Sequence, residues 1–453
     1  MLKIRGKEIR SVGFLGLGTS NLGVFEYLSR HADNLSVTVR SNTHADASAF
    51  SPSCVFFGKE ALLSIDEDIL FISPSARRDI PELIKAERDG VILFSDAELF
   101  FENIRSDVYA VTGSDGKSTT TYLTSMLLND SYKKAVACGN IGLAMSPQLD
   151  SDEGTAFVTE LSSFQLNYFK PKSQRCLITN ITENHLNWHT SFEEYINAKR
   201  NILDGGKERI INYDCEISKR LASDFDVFAV FSAKNDEKEL KNAMKAEVYL
   251  TLRDGYITVS GEPILNVNDV KLCGVHNILN FMSAMALGHG RYKKDCLTDL
   301  AKNFGGLPHR CELVGVLNGV RYYDSSIDSS PKRCAATLSM LDGQLIVILG
   351  GRSKGLDFSP LLPTLREKAK HTVITGECAG EIEELLLFDK KSEKDTIPYT
   401  RIDNFYEAIG YAVSIAERGD RVVLSPAATS YDNFINFEER GNAFKLFLKS
   451  KGI

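Results

Sequence analysis

Several common signatures are missing from this chain. Its nine cysteines are scattered from Cys54 to Cys378 without one Cys-x-x-Cys pair. An odd, dispersed set excludes a disulfide framework or thiolate zinc site and predicts reduced core thiols in a cytoplasmic protein. No stretch approaches the about 18 consecutive apolar residues of a membrane span, so no membrane partner is expected. The first residues, Met1-Leu-Lys-Ile-Arg-Gly-Lys7, carry charges where a signal peptide needs an apolar core. A basic excess is missing too. Lys and Arg number 53 against 60 Asp and Glu, a net charge of −7, which argues against a nucleic-acid partner. A local basic pocket for a phosphorylated substrate stays compatible with that total. Internal repeats and low-complexity tracts are absent. What remains is an ordinary globular composition, 43% hydrophobic and 25% charged, in a chain of 453 residues. That length is too great for one core and favours about three domains.

One stretch organises the rest. The apolar run from Val108 to Val111 predicts a buried strand that breaks at Thr112-Gly113. A helix is predicted from near Lys117, with Leu123, Met126 and Leu127 on one face. Between them lie Gly113, Ser114, Asp115, Gly116, Lys117, Ser118 and Thr119. Strand, glycine turn, Lys-Ser and helix make a phosphate-binding loop. The glycines let backbone N–H groups converge, and the helix N-terminus adds the positive end of its dipole. Lys117 supplies a point charge for the terminal phosphates, and the Ser118 hydroxyl suits magnesium. The longer G-x-x-x-x-G-K-[ST] pattern is not met, because Val111 stands at its first glycine.

Before this loop, Val12 to Gly23 reads as a strand, a glycine turn and a helix, the opening of a Rossmann-like unit. Asn21 stands where a dinucleotide fingerprint has its third glycine. Thr19, Ser20 and Arg40 are ligand candidates there, or ordinary loop polarity, and Ser73 closes a further strand in the same way. After the loop, short apolar strands alternate with helical patterns and predict a mostly parallel sheet. Two of these strands end in polar groups: Glu160, followed by Ser162 and Gln165, and Asn180, followed by His185 and His189. Strand ends beside a phosphate loop suit hard oxygen ligands. Glu160 is therefore expected to bind magnesium, the alternative being a helix N-cap partner. His185 is expected to be functional and His189 structural. Periodicity alone leaves Lys199 on a solvated or snorkelling helix face. Asn277 and Asn280, three apart, share a helical face and read as one site or as an N-cap pair. From Leu307 onward a third unit repeats the Rossmann-like alternation, with Arg310, Asp324, Lys354 and Ser430 near strand ends.

Together these segments resemble the Mur ligases, the ATP-dependent amide-forming enzymes of peptidoglycan precursor synthesis. The likeness rests on residues 113–119, Gly139-Asn-Ile-Gly142, residues 159–166, Asn180-x-x-Glu-Asn-His185, Ala198-Lys199, His276-Asn277, Leu307-Pro-His-Arg310, residues 349–355 and Asn436-Phe-Glu-Glu-Arg-Gly441. Residues 160–166 and 436–441 are most similar to the branch that adds D-glutamate. The resemblance implies an α/β fold of three domains. These are a Rossmann-like domain over residues 1–104 for the UDP-substrate, a central P-loop ATPase-type domain over 105–306 with a mostly parallel sheet, and a Rossmann-like amino-acid-binding domain over 307–453. It further implies ATP and Mg2+, with UDP-N-acetylmuramoyl-L-alanine and D-glutamate as partners of a monomer. Lys117, His185 and Lys199 would be catalytic. Ser118, Glu160, His185 and a carbamylated Lys199 would hold two magnesium ions. Asn277, Asn280, Arg310 and Asp324 would contact the nucleotide. Thr19, Ser20, Arg40, Ser73, Asn140, Ser162 and Gln165 would meet the UDP-sugar, and Lys354, Ser430 and Phe437 the amino acid. One run departs from the family's Ser-Lys-Ala-Thr-Asn after its aspartate: here Asp324 is followed by Ser325-Ser-Ile-Asp-Ser-Ser330, with Lys332 and Arg333 as possible compensation. That run motivates one rival, a Mur-type ligase with another amino-acid acceptor; a second, from another class, is a nucleotide-gated binding protein without catalysis.

Overall fold

The computed structural model describes residues 2–42, 47–186, 188–272, 274–353, 357–388 and 397–453. The chain forms two compact units, Met1–Asn303 and Phe304–Ile453.

The first unit holds two large sheets. A five-stranded, fully parallel sheet runs Cys54–Phe57, Ser36–Ser41, Ser11–Leu15, Ile69–Ile72, Ile92–Phe94 from edge to edge. From the central Ser11–Leu15 the chain goes to Ser36–Ser41 on one side and later returns to Ile69–Ile72 on the other, which places a crevice beyond their carboxyl ends. A nine-stranded sheet follows. Val108–Thr112 sits between Thr155–Glu160 and Ser173–Ile178, with Lys134–Gly139 at one edge. On the other side come Gly206–Asn212, Val227–Ser232 and Val248–Arg253, all parallel, then the antiparallel strands Tyr256–Val259 and Glu262–Asn266. The central strands are buried on both faces, as their unbroken apolar bodies require. The second unit is a six-stranded sheet: Glu312–Leu317 pairs antiparallel with Val320–Asp324, then Arg421–Leu424, Leu345–Gly350, Ala369–Thr375 and Tyr399–Arg401 run parallel. The chain is thus α/β with parallel sheets, as expected.

Three details differ from the sequence reading. Met126 is 48% exposed, so the buried face of Lys117–Leu128 is made by Leu123, Leu127 and Leu128 instead. Cys138, Cys176, Cys334 and Cys378 are buried free thiols, but Cys54 and Cys296 are exposed; Cys273 lies outside the described residues. Lys199 is 2% exposed, not on a solvated face. Among the described residues no helix is long and apolar enough to cross a membrane.

Candidate nucleotide and metal site

The phosphate loop forms where predicted, between Val108–Thr112 and the helix Lys117–Leu128. Glycine is required at both ends of it. Gly113 has φ +151°, and a Cβ there would lie 1.9 Å from the Thr179 hydroxyl oxygen; Gly116 has φ +77°. The turn is then locked from the neighbouring strand. Asn180 Oδ1 accepts from the backbone N–H of Ser114 (3.2 Å) and Asp115 (2.8 Å), and the Thr179 hydroxyl donates to Asp115 O at 2.5 Å. Ser114 Oγ donates to Thr182 O at 3.0 Å and lies 2.8 Å from the Tyr195 hydroxyl. The loop is thus shaped by hydrogen bonds within the protein itself.

Two amines approach the loop's carbonyls. Lys117 Nζ donates to Ser114 O at 2.8 Å, and Lys199 Nζ donates to Gly113 O at 2.8 Å. Lys199 comes from the helix Phe192–Gly205 and lies 4.6 Å from the Tyr195 ring centroid. Burial, with help from the Lys117 charge, pushes its amine well below the ordinary lysine range. Burial comes first for His185 as well, whose pKa is lowered further by Lys199 and Lys117. His185 sits in an exposed turn with φ +56°.

Glu160 ends the strand beside the loop, its Cα opposite Val111. It is 1% exposed; Oε1 accepts from Asn140 Nδ2 at 2.7 Å, and Oε2 is buried without a hydrogen-bond partner. A buried, orphaned carboxylate oxygen is costly unless a cation meets it. With the buried Ser118 hydroxyl, Glu160 is a donor set of the hard-oxygen kind that magnesium takes. The helix Val275–Leu287 adds Asn277 and Asn280, joined by a 3.3 Å bond from Asn280 Nδ2 to Asn277 Oδ1, and Asn280 Oδ1 is 3.5 Å from the Thr120 hydroxyl. The two asparagines therefore do share a face beside the phosphate-loop helix. Thr119 lies in its first turn.

The remaining predicted residues divide. Ser162 and Gln165 form a capping box on the helix Ser163–Leu166. Thr19 and Ser20 lie in the first turn of Thr19–His31, and Ser73 follows the Ile69–Ile72 strand at the crevice of the first sheet. Asn21, in the place of a third glycine, donates to Leu15 O and Gly16 O and so holds the turn. Arg40 is 1% exposed, pairs with Glu67 at 2.8 Å, and donates to the carbonyls of Ala61, Leu63 and Ser64. Its guanidinium is spent inside the protein. In the second unit Arg310 is exposed, while Asp324 is fully buried against His309 Nδ1 (2.7 Å) and the N–H of Ser326 (2.9 Å). His309, Glu312 and Asp324 could gather round a cation, but Lys445 Nζ already stands 2.5 Å from Glu312 Oε2. Ser430 is buried, and the Phe437 carbonyl accepts from Ser326 Oγ at 2.8 Å. Lys354 lies outside the described residues. His189 is structural, as expected: buried, with Nε2 2.9 Å from Ser163 Oγ. Tyr195, which the helical pattern of residues 193–203 already places among the buried residues, lies four before Lys199 on the same face.

Comparison with known proteins fits this geometry. The profile of the Mur ligase middle domain matches residues 111–288, and that of the Mur ligase glutamate ligase domain matches 309–428. The chain is 35% identical to the UDP-N-acetylmuramoylalanine–D-glutamate ligase of Acetivibrio thermocellus, over 99% of this chain and 97% of that one. It is also 35% identical to the ligase of the same name from Ruminiclostridium cellulolyticum, over 97% of each. Among solved structures it resembles the UDP-N-acetylmuramate–alanine ligase of Thermotoga maritima, with a TM-score of 0.53 and 17% identity over 97% of this chain and 99% of that one. That last likeness bears on the fold alone. On nearly full-length identity and two matching domains, the chain belongs to the Mur ligase family.

Proposed function

We propose that this chain is an ATP-dependent ligase that adds D-glutamate to UDP-N-acetylmuramoyl-L-alanine in peptidoglycan precursor synthesis. The near end-to-end identity to ligases of that name carries the reading. The substrate carboxylate attacks the γ-phosphate of ATP, giving an acyl phosphate and ADP. The amine of D-glutamate then attacks the acyl carbon, and phosphate leaves. Bound magnesium neutralises charge on the transferring phosphoryl group, the kind of term that dominates such chemistry. Lys117 adds its own charge at the same oxygens, and the loop N–H groups hold the phosphates in line.

Glu160 and Ser118 hold one magnesium in this reading, and His185 with Lys199 a second. Burial lowers the pKa of the Lys199 amine, which favours its uncharged form and so supports carbamylation, because only an uncharged amine attacks carbon dioxide. The carbamate turns a would-be cation into an oxygen ligand. Thr19, Ser20, Ser73, Asn140, Ser162 and Gln165 serve the sugar nucleotide, Asn277, Asn280, Arg310 and Asp324 the adenine nucleotide, and Lys354, Ser430 and Phe437 the amino acid. Residues 1–104, 105–306 and 307–453 divide these tasks in a cytoplasmic monomer.

The deviating run 325–330 supports no change of acceptor. Ser326 and Asp328 are fully buried and engaged internally, Ser326 with Phe437 O and Arg440, Asp328 with Ser425 and Arg333. The deciding experiment is phosphate release with ATP, magnesium and UDP-N-acetylmuramoyl-L-alanine across a panel of amino acids. Release with D-glutamate alone is expected. Release only with another amino acid moves the enzyme to another acceptor, and silence with all revives the non-catalytic rival.

A further inference from the structure

The turn that carries His185 and Trp188 is held from outside itself. Arg77 lies beyond the Ile69–Ile72 strand, four residues after Ser73. Its Nη1 donates to Trp188 O at 2.7 Å, its Nη2 to Glu194 Oε1 at 2.9 Å, and its Nε to Asp79 Oδ1 at 2.8 Å. The guanidinium also covers the Trp188 indole, 4.9 Å from the ring centroid, while the indole N–H donates to Ser75 O at 2.9 Å. Glu194, the far arm of the fork, accepts from the Thr190 N–H at 2.5 Å and hydroxyl at 2.7 Å. From Trp188 the packing continues to Phe164 (4.5 Å between centroids), and Phe164 lies 5.0 Å from His185.

His185 needs such support. It has a left-handed backbone, a strained conformation for a non-glycine residue, and the residues on either side of it are exposed. Locally it is held by its carbonyl, which accepts from the Trp188 and His189 N–H groups at 3.0 Å each, and by its N–H, which donates to Asn184 Oδ1 at 2.8 Å. Arg77 anchors the far end of that turn, at Trp188 O and Glu194, through a planar fork with several donors, which a lysine's point charge cannot reproduce.

We propose that Arg77 is a positioning residue: it fixes the turn that presents His185 to the metal, and ties that turn to the Ser73–Ser75 segment at the crevice for the sugar nucleotide. The inference rests on the ligase reading for what occupies each side. Occupancy of the crevice is then felt at the metal turn through Ser75, Arg77 and Trp188, in addition to any direct approach of the substrate carboxylate to the nucleotide.

The chain supplies its own probe, because Trp188 is its single tryptophan. The full-length protein is titrated with UDP-N-acetylmuramoyl-L-alanine while tryptophan emission is followed. Separately, Mn2+ binding is measured by electron paramagnetic resonance with a non-hydrolysable ATP analogue present. In the native chain the sugar nucleotide changes the emission. In Arg77→Ala that response disappears and Mn2+ affinity falls about tenfold, as for loss of an outer-shell contact. Arg77→Lys recovers only part of both. Native Mn2+ affinity together with a native emission response in Arg77→Ala overturns the proposal. If Arg77→Ala fails to fold by circular dichroism, Arg77→Lys and Glu194→Gln carry the same test, and native behaviour in both overturns it. Failure of the ligase reading shows separately, as absence of ADP formation by the native chain.

Discussion

At the scale of single residues, two buried bases make opposite demands on stability and function. Burial disfavours the charged form of Lys199 and holds its amine well below 10.5, a cost to the folded state. Between its folded pKa and the unfolded value the unfolded chain binds more protons, so stability rises with pH in that window. Lys199→Met is therefore expected to raise Tm at pH 7 in thermal denaturation while abolishing turnover. A lower Tm contradicts the assigned cost. His189 is depressed from 6.5 to about 4, chiefly by burial, although Glu194 opposes the shift. Its contribution is present above pH 6.5 and is lost as pH falls toward 4, because protonation then favours the unfolded chain. Tm measured from pH 7 to pH 4 should fall less steeply for His189→Gln than for the native chain. Residues of this kind expose what sequence could and could not convey. Lys117 was legible because chemistry and local pattern coincide in the loop. Lys199 was not, because its burial comes from Tyr195, Gly113 and Thr112, which only the fold brings together. Arg40 misled for the same reason: a polar strand end looks alike whether it faces a ligand or the carbonyls of residues 61–64.

At the scale of elements, strand and helix identities followed from apolar runs and glycine turns, and so did the strand ends at which Glu160 and Asn180 stand. Long central strands such as Leu345–Gly350 are unambiguous, being buried throughout. Short edge strands such as Cys54–Phe57, exposed in part, carry little signal. Pairing across strands was illegible, and it is what shapes the phosphate loop. Asn180, at the end of one strand, caps the turn that follows its neighbour. Gly113→Ala tests that dependence. A methyl group would meet the Thr179 hydroxyl at 1.9 Å and the Asn180 backbone N and O at 3.1 Å. Relieving it costs about 1–3 kcal/mol of strain in the loop. Binding of a fluorescent ADP analogue should weaken at least about tenfold, with circular dichroism unchanged. Undiminished binding refutes this account of the turn.

At the scale of the whole molecule, each compact unit carries a buried arginine that serves as internal scaffold. In the first unit Arg40 joins the Ser36–Ser41 strand to Glu67 and to three carbonyls. In the second, Arg440 donates to the carbonyls of Ser326, Ala428 and Thr429 and to the Ser326 hydroxyl, gathering two strand-end loops. Removing Arg40 leaves Glu67 charged and buried, a loss of about 3–5 kcal/mol for a broken interior pair. Removing Arg440 strands several carbonyls at about 1–3 kcal/mol each. Since each unit has its own cores, calorimetry should resolve two transitions instead of a single two-state event. Arg40→Ala should lower one of them and Arg440→Ala the other. ADP with magnesium, whose phosphate loop lies in the first unit, should raise the transition that Arg40→Ala lowers. If both variants displace a single transition equally, the units unfold as one, and the scaffolding roles of the two arginines cannot be assigned to separate bodies.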